Sequence, residues 1–254
     1  MALLWTSGML SPESLLLDQQ AWLLNAYRVF ATRLRGPEPA YPCHLGVQGQ
    51  LKGHNWFTAL DETSPGWGVS DLAGTINEFR RHAWQGPKRQ SLIVFVGPPE
   101  QNPDLDRDTE RFWSVLSRLS TSDEVPWPTG HAADTRDPQW QWCFAGEPWF
   151  VFGCSPAYVD RHSRDVGPCL TLVFQVRRVF EGLSGASPTG QAAKRKIRDQ
   201  LLAYDTVGVH PHLGDPTQSS VFKWRQYMLP DDQQTLSEES CPFQDLVREK
   251  GHGG

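Results

Sequence analysis

Two apolar, β-favouring runs at residues 149–152 and 170–174 are the feature that most constrains how this chain folds. Runs of this kind, bounded by turn residues, are typical of strands that are covered on both faces. Such strands would hold the polar stretch between them on a rigid base. That stretch places a thiol, a phenol, an imidazole and two guanidinium groups within eleven residues: Cys154, Tyr158, Arg161, His162 and Arg164. The sequence therefore makes this stretch the first candidate site.

A helical turn is predicted inside the stretch, because Ser155 and the proline after it have the pattern of an N-cap and first turn. On that turn Tyr158 and His162 would lie one above the other, and the two arginines would share the adjacent face. This grouping suits an anionic cofactor that takes an axial ligand from the protein. A surface connection between two strands, with solvated arginines, explains the spacing equally well.

Composition excludes several classes of protein. The chain has 254 residues, of which 39% are hydrophobic and 21% charged, as in ordinary globular proteins. The net charge of −5 implies no broad basic surface and argues against a general nucleic-acid-binding protein. No segment has the length and apolarity of a membrane span or the basic start of a signal peptide. Five cysteines without repeated close spacing indicate neither a disulfide framework nor a zinc site, so we expect a reducing, cytoplasmic setting.

Periodicity and turn residues divide the chain into helices and strands. The predicted helices span residues 11–35, 72–84, 108–119 and 191–204, and the predicted strands 54–60, 91–96, 140–144, 149–152, 170–174 and 224–229. No internal repeat or shift in composition marks a domain boundary. We predict one α+β domain over residues 1–254, with a mainly antiparallel sheet covered by helices. It would have an N-terminal helix within residues 1–40 and a flexible connection at 182–190.

Signatures of familiar enzyme classes are missing from the sequence, which has no GxSxG, P-loop or HExxH motif. His210 and His212 flank a proline, a pattern that suits a metal pair but is more common in turns. Asp61 and Glu62 follow a predicted strand. These residues could supply a functional carboxylate, or they could simply begin an ordinary loop.

A series of short motifs runs from about residue 40 to residue 243. They are Pro42-Cys43, FAGEPWFVFG at 144–153, Ser155-Pro156-Ala157, Arg161-x-Ser163-Arg164, Phe174-Gln175, His210-Pro211, Asp231-Asp232 and Cys241-Pro242-Phe243. None is specific alone, but their order and spacing resemble those of the YqcI/YcgG family. The resemblance implies a heme-dependent oxygenase that adds oxygen to a nitrogen of an amino acid or related amine. It also implies heme b, O₂ as co-substrate, and a separate redox partner that donates electrons.

The axial ligand implied by the resemblance is the least defined part of the site. Many relatives carry a histidine beside the central proline, where this chain has Ser155 and Tyr158. The alternatives, in order of preference, are the imidazole of His162, the phenolate of Tyr158 and a thiolate. The thiolate would come from Cys43 or Cys154.

The resemblance also implies cations for two heme propionates and apolar walls for the porphyrin. Arg161 and Arg164 could pair with the propionates, because guanidinium matches carboxylate bidentately. Trp149, Phe152 and Phe174 are candidates for the walls, and strand core explains them equally well.

A basic amino-acid substrate would need a carboxylate for its cationic end and an arginine for its α-carboxylate. Glu147, Asp61 and Glu62 are the candidates for the first role and Arg178 for the second. A heme protein with another role, in peroxide chemistry or heme carriage, is one alternative function. A non-catalytic scaffold that keeps the fold is the other.

Overall fold

The computed structural model describes residues 4–6, 21–36, 39–183, 187–213, 222–237 and 241–243. The described strands are β1 (Trp5–Thr6), β2 (Trp56–Leu60), β3 (Leu92–Val96), β4 (Cys143–Phe144), β5 (Glu147–Cys154) and β6 (Thr171–Val176). The described helices are α1 (Ala21–Leu34), α2 (His44–Leu51), α3 (Val69–Gln85), α4 (Leu105–Ser122) and α5 (Pro188–Tyr204). Short 3-10 turns lie at His162–Arg164, Arg177–Phe180, Pro211–Leu213 and Lys223–Gln226.

The six strands form one sheet in the order β1-β2-β3-β6-β5-β4. Only β2 and β3 pair in parallel, with α3 in the connection between them, and every other pair is antiparallel. The hairpin of β4 and β5 turns through Ala145 and Gly146, whose positive φ values of 53° and 75° suit a two-residue turn. The predicted α+β domain with a mainly antiparallel sheet is confirmed.

Helices cover both faces of the sheet, because every residue of β3 is buried and alternate side chains join different cores. Ile93 and Phe95 pack with Phe57 and with the apolar stripe of α1. Leu92, Val94 and Val96 pack on the other side with α3 and α4. Within the described ranges, no helix combines the length and apolar composition needed to cross a bilayer.

Several sequence predictions need correction. Helices α3, α4 and α5 each begin three residues before their predicted start. For α5 the reason is visible, since the Ser187 side chain caps the helix by accepting a hydrogen bond from the Gly190 amide. Residues 188–190 are therefore helix and not flexible connection, while 184–186 lie outside the described residues. In the predicted N-terminal helix, α1 accounts for 21–34, and residues 7–20 lie outside the described part of the chain.

Two elements were assigned wrongly or missed. Residues 224–229 were predicted as a strand but contain a 3-10 turn, because Trp224 and Tyr227 are buried against α4 and the sheet rather than at a sheet edge. Helix α2 was not predicted, since its two glycines and two glutamines leave hardly any apolar periodicity.

Gly153 in β5 is the point where the segment at 222–229 lies closest to the sheet. Its amide donates to the Tyr227 carbonyl at 2.8 Å. A Cβ atom at this position would overlap the Met228 sulfur and lie 3.0 Å from the Phe112 ring.

We predict that Gly153→Ala lowers the free energy of unfolding by about 1–3 kcal/mol, because two buried side chains must move. Urea denaturation measures this difference. Gly74→Ala in α3 is the matched control: nothing lies within 4 Å of the added methyl group, so we expect unchanged or slightly higher stability. Equal stability of both variants would show that the close approach at Gly153 imposes no constraint.

Candidate functional site

The chain after β5 is not helical until the 3-10 turn that begins at His162, which overturns the predicted helical stacking of Tyr158 on His162. The Ser155 hydroxyl accepts a hydrogen bond from the Ala157 amide at 3.0 Å and donates to the Asp108 carboxylate at 2.6 Å. The Tyr158 amide donates to the Ser155 carbonyl and closes a tight turn. The turn does not continue as a helix, because a distant carboxylate accepts from the amides of residues 159–161.

That carboxylate belongs to Asp231, which with Arg161 forms a reciprocal clamp. Asp231 accepts hydrogen bonds of 2.8 to 3.1 Å from the amides of residues 159–161. Arg161, only 1% exposed, donates back to the carbonyl oxygens of Pro230 at 3.0 Å and Asp232 at 2.7 Å. The Arg161 guanidinium, which was predicted to bind a heme propionate, thus donates to backbone carbonyl oxygens. We call this pair the Arg161–Asp231 clamp.

Arg164 has a similar role one turn further along. It is buried and donates to the carbonyl oxygens of Gly153 at 3.0 Å and Gln226 at 2.9 Å. The centre of its guanidinium lies 4.8 Å from the centre of the Phe152 ring. Arg164 therefore fastens the 222–229 segment to β5 and covers one side of Phe152.

The two preferred axial ligands lie apart from any cleft described below. The Tyr158 hydroxyl is buried and donates to the Leu229 carbonyl at 2.6 Å. Burial raises the pKa of this phenol, so the phenolate is disfavoured. His162 is half-buried and has the carboxylates of Asp165 and Asp205 in its electrostatic neighbourhood.

A cleft with two thiols lies between the sheet and helices α1 and α2. Its walls are largely apolar and include Phe30, Leu34, Ile93, Phe152, Val166 and Val173. The space inside it that water can reach is about 30 Å³, room for one or two water molecules. We call it the thiol cleft, after Cys43 and Cys154 in its wall.

The thiols of the cleft are neutral at rest. Burial raises the pKa of the Cys43 thiol and raises that of Cys154 to about 12. The positive charge of Arg164 acts in the opposite direction on both. Tyr41 also lines the cleft, and its hydroxyl donates to the Ser163 carbonyl at 2.8 Å.

Three neutral polar side chains form one part of the cleft wall. Asn55 donates to the Gly46 carbonyl at 3.1 Å and accepts from the Ser91 amide at 3.2 Å. Gln175 donates to the Ser91 hydroxyl at 2.9 Å. We call these residues, Asn55, Ser91 and Gln175, the amide end of the cleft.

Sequence reasoning missed the amide end, because its residues come from three separate places in the chain. Asn55 precedes β2, Ser91 precedes β3, and Gln175 lies in β6. Pairing of β2, β3 and β6 brings them together. The one available signal was the Phe174-Gln175 motif.

The predicted substrate carboxylates are used elsewhere. Glu147 accepts hydrogen bonds from Arg80 at 3.0 Å and from the Trp84 indole at 2.7 Å. The Asp61 carboxylate accepts hydrogen bonds from Thr63 and Ser64 in the turn that follows it. Burial opposes ionisation there, but hydrogen bonds from Thr63 and Ser64 outweigh it and lower the pKa of Asp61.

The remaining predicted residues are also outside the thiol cleft, with one exception. Glu62 pairs with Arg118 at 2.5 Å. Arg178 donates to three carbonyl oxygens at the C-terminal end of α3, at 2.7 to 2.8 Å. Trp149 packs in the core on the opposite face of the sheet, as does Phe174, whereas Phe152 does line the cleft.

His210 and His212 bind backbone rather than a metal ion. One ring nitrogen of His210 accepts from the His212 amide at 3.1 Å, and the other lies 3.0 Å from the Gln234 carbonyl, to which it donates. His212 accepts from the Leu236 amide at 2.8 Å. No group of three potential metal ligands occurs in the described part of the chain.

The thiol cleft provides some of what a heme requires. It has apolar walls, and it has thiols, which a metal ion deprotonates on binding. The two arginines predicted to bind propionates are committed to carbonyl oxygens, and neither His162 nor Tyr158 lines the cleft. A space of about 30 Å³ cannot hold a porphyrin, so the cleft as it stands does not fit heme. Of the candidate ligands, Cys43 and Cys154 line it.

Comparison with known proteins gives a family and relatives of similar length. The sequence model of the YqcI/YcgG family matches residues 30–244. YcgG of Bacillus subtilis (strain 168) is 32% identical over 225 residues, which cover 87% of this chain and 88% of YcgG. YqcI of the same organism is 31% identical over 225 residues, 87% of each chain.

A third relative has a named activity. DcsA of Streptomyces lavendulae, a candidate N(omega)-hydroxy-L-arginine synthase, is 27% identical over 244 residues. The match covers 92% of this chain and 89% of DcsA. No solved structure matches the chain.

The clamp generates a stability prediction. Arg161→Ala leaves buried carbonyl oxygens without donors, so we expect the free energy of unfolding to fall by about 2–4 kcal/mol. Arg136→Ala is the control, because Arg136 pairs only with exposed Asp134 at the surface, and its stability should match wild type in the same urea titration. An equally stable Arg161→Ala protein would mean that the clamp is dispensable.

The histidine pair generates a pH prediction. Burial, with the neighbouring histidine and Arg161, lowers the pKa of His210 to about 4, and burial with Arg225 lowers that of His212 to about 4. The unfolded chain, with histidine pKa values near 6.5, binds more protons between pH 4 and 6.5. Stability contributed by the neutral pair is thus complete above about pH 6.5 and is lost as pH falls towards 4, by about 1–3 kcal/mol in total.

Urea midpoints between pH 4 and 8 measure this loss. The double variant His210→Asn, His212→Gln keeps acceptors near both sites but does not titrate. We expect its stability to fall less than that of wild type over this range. Parallel pH profiles would contradict the prediction.

Proposed function

The chain belongs to the YqcI/YcgG family, and from that we propose that it is an oxygenase that adds oxygen to the nitrogen of an amine or amino acid. The observation that carries the proposal is the match to DcsA along nearly the whole length of both chains. An identity of 27% supports a shared class of reaction. The substrate depends on the particular residues of the cleft.

The proposed reaction inserts one atom of O₂ into an N–H bond. An amine R–NH₂, O₂, two electrons and two protons give the hydroxylamine R–NH–OH and water. The electrons come from a separate reduced donor of the ferredoxin or flavoprotein class, because the sequence has no recognisable flavin or nicotinamide site. Cys43, Cys143, Cys154 and Cys169 are free thiols, as in a reducing compartment, so the cytoplasm is part of the proposal.

Heme b, which the family resemblance implies, is the proposed oxygen-activating group, and when bound it would supply the iron at which O₂ is reduced. The thiol cleft would have to widen to admit it. We assign the axial ligand to Cys43, because it lines the cleft and is more exposed than Cys154. Burial raises the pKa of the Cys43 thiol, and the charge of Arg164 only partly opposes this, so the thiolate would form on binding to the metal. Phe30, Ile93 and Phe152 would provide apolar walls.

The amide end of the cleft offers hydrogen bonds that could orient the amine. Gln175 donates through Nε2 to Ser91, so its amide oxygen can accept a hydrogen bond from the substrate N–H group. In the proposal, the reacting nitrogen is held at the amide end.

An absorption spectrum of protein from heme-supplemented cells tests the cofactor. We expect a Soret band whose position in the reduced, CO-bound state indicates thiolate ligation. Cys43→Ser should shift that band or lower the heme content. Cys143→Ser is the control, since Cys143 is buried in β4 away from the cleft, and its spectrum should be unchanged. A wild-type protein that stays colourless with added hemin would refute heme as the cofactor.

Oxygen uptake tests the reaction itself. With a reduced donor and a panel of amines, we expect substrate-dependent uptake and a product heavier by one oxygen atom, identified by mass spectrometry. Oxygen consumption that yields only peroxide, with every amine recovered intact, would contradict N-oxygenation.

A further inference from the structure

We propose that the cationic side chains gathered at the end of β6 form the docking surface for the electron donor, and that this donor is a small, acidic ferredoxin. The inference rests on the proposed function, in which a separate protein supplies the electrons. Its evidence is the position, charge and exposure of these side chains and of one phenylalanine among them.

The cationic side chains meet at the 3-10 turn that follows β6. From this turn Arg178 donates to the carbonyl oxygens of residues 83, 84 and 86 at the end of α3, at 2.7 to 2.8 Å. Arg89 donates to the carbonyl oxygens of Val179 and Glu181. Five cationic side chains are brought together here, and we call them the basic patch: Lys88, Arg89, Arg177, Arg178 and Lys223.

The positive charge of the patch is largely uncompensated, because the carbonyl oxygens that bind its arginines are neutral. Among the described residues of this surface, Glu181 is the carboxylate that pairs with the patch, at 2.9 Å from Lys88. The hydrogen bond from Lys88 and the charges of Lys88, Arg178 and Arg89 lower the pKa of Glu181. One carboxylate thus faces several cations.

Two neighbouring groups indicate the sign of the potential around the patch. Burial and the charge of Arg177 lower the pKa of Lys223. Burial and the charges of Lys196 and Arg89 lower the pKa of His44, at the start of α2. The potential there is positive, although the chain as a whole carries a net charge of −5. An acidic protein is therefore repelled by the chain as a whole and steered to this surface.

An exposed aromatic ring lies within the patch. Phe180 is 38% exposed, and Phe150 supports it through a perpendicular ring contact with the ring centres 5.7 Å apart. Aromatic residues and arginine are enriched in the cores of protein interfaces. A supported ring surrounded by cations has the composition of a small interface with an acidic partner.

The position of the patch relative to the thiol cleft suits electron delivery. Arg89 lies two residues before Ser91, and Arg177 lies two residues after Gln175. Ser91 and Gln175 both line the cleft. A protein docked on the patch therefore lies at the amide end of the cleft whose wall contains the proposed ligand, Cys43.

The electron count favours a partner that binds weakly and leaves quickly. A ferredoxin with a two-iron cluster carries one electron, so each N-oxygenation needs two encounters with reduced ferredoxin. Small interfaces steered by charge are typical of such transient complexes. The patch is of this kind, since it combines exposed charges with a single exposed ring. A nucleic acid would need a broader basic surface.

Calorimetric titration of the purified full chain with an acidic plant-type ferredoxin is the test. In wild type we expect Kd to rise about tenfold or more between about 50 and about 300 mM NaCl, because salt screens the attraction. Lys88→Glu together with Arg177→Glu should raise Kd at low salt by at least about tenfold. Both side chains are exposed, so this double variant should keep its stability.

Arg107→Glu together with Arg136→Glu is the matched control. These exposed arginines pair with Glu100 and Asp134 outside the patch, and their replacement changes the net charge by the same amount. Kd should stay within about threefold of wild type. Equal loss of affinity in both double variants, no binding by wild type at low salt, or tighter binding of a short DNA duplex than of ferredoxin overturns the inference.

Turnover separates this inference from the proposed function. Ferredoxin that binds through the patch as expected, but supports no oxygen uptake with any amine, would support the interface and refute N-oxygenation. Amine oxidation at limiting ferredoxin that is equally fast in wild type and in the Lys88→Glu, Arg177→Glu variant would support the reaction and overturn the interface.

Discussion

Two buried guanidinium groups that donate to backbone carbonyls hold this protein's C-terminal segment on its sheet. Residues 222–237 have little regular structure, so their carbonyl oxygens lack the partners that a helix or sheet would provide. Arg161 satisfies those of Pro230 and Asp232, and Arg164 that of Gln226. The return bonds from Asp231 fix the turn after β5. Arg161 and Arg164 of the Arg-x-Ser-Arg motif therefore have a structural role.

The same fastening determines the character of the thiol cleft. Arg164 donates to the Gln226 carbonyl while its guanidinium lies over Phe152, whose ring forms part of the cleft wall. Its charge is thus fixed beside the thiols, where it opposes the effect of burial on them. One side chain thus both anchors the segment at 222–229 and acts on the thiols of the cleft.

How much was predictable differs between the fold and the site. Strong local signals gave β3, β5 and β6, and the amphipathic pattern gave α3 and α4, because period and composition are enough there. The central stretch stays a prediction as a functional site; of its residues, Cys154 lines the thiol cleft and Arg164 lies beside Phe152 of its wall. The helical stacking of Tyr158 on His162 was wrong for a physical reason: Asp231, far along the chain, binds the amides that a helix would have used. The amide end depends on strand order, which one sequence does not reveal.

The position of β3 has a consequence for synthesis of the chain. This strand is apolar on both faces, and its two neighbours are β2, which precedes it, and β6, which follows after a long interval that includes α4 and the β4–β5 hairpin. Leu92 is paired with Phe174, so one edge of β3 stays open until most of the chain has left the ribosome. An uncovered apolar edge invites pairing with other chains, and long-range pairing of this kind closes slowly. The yield of folded protein in a cell will therefore depend on how well that edge is shielded during translation.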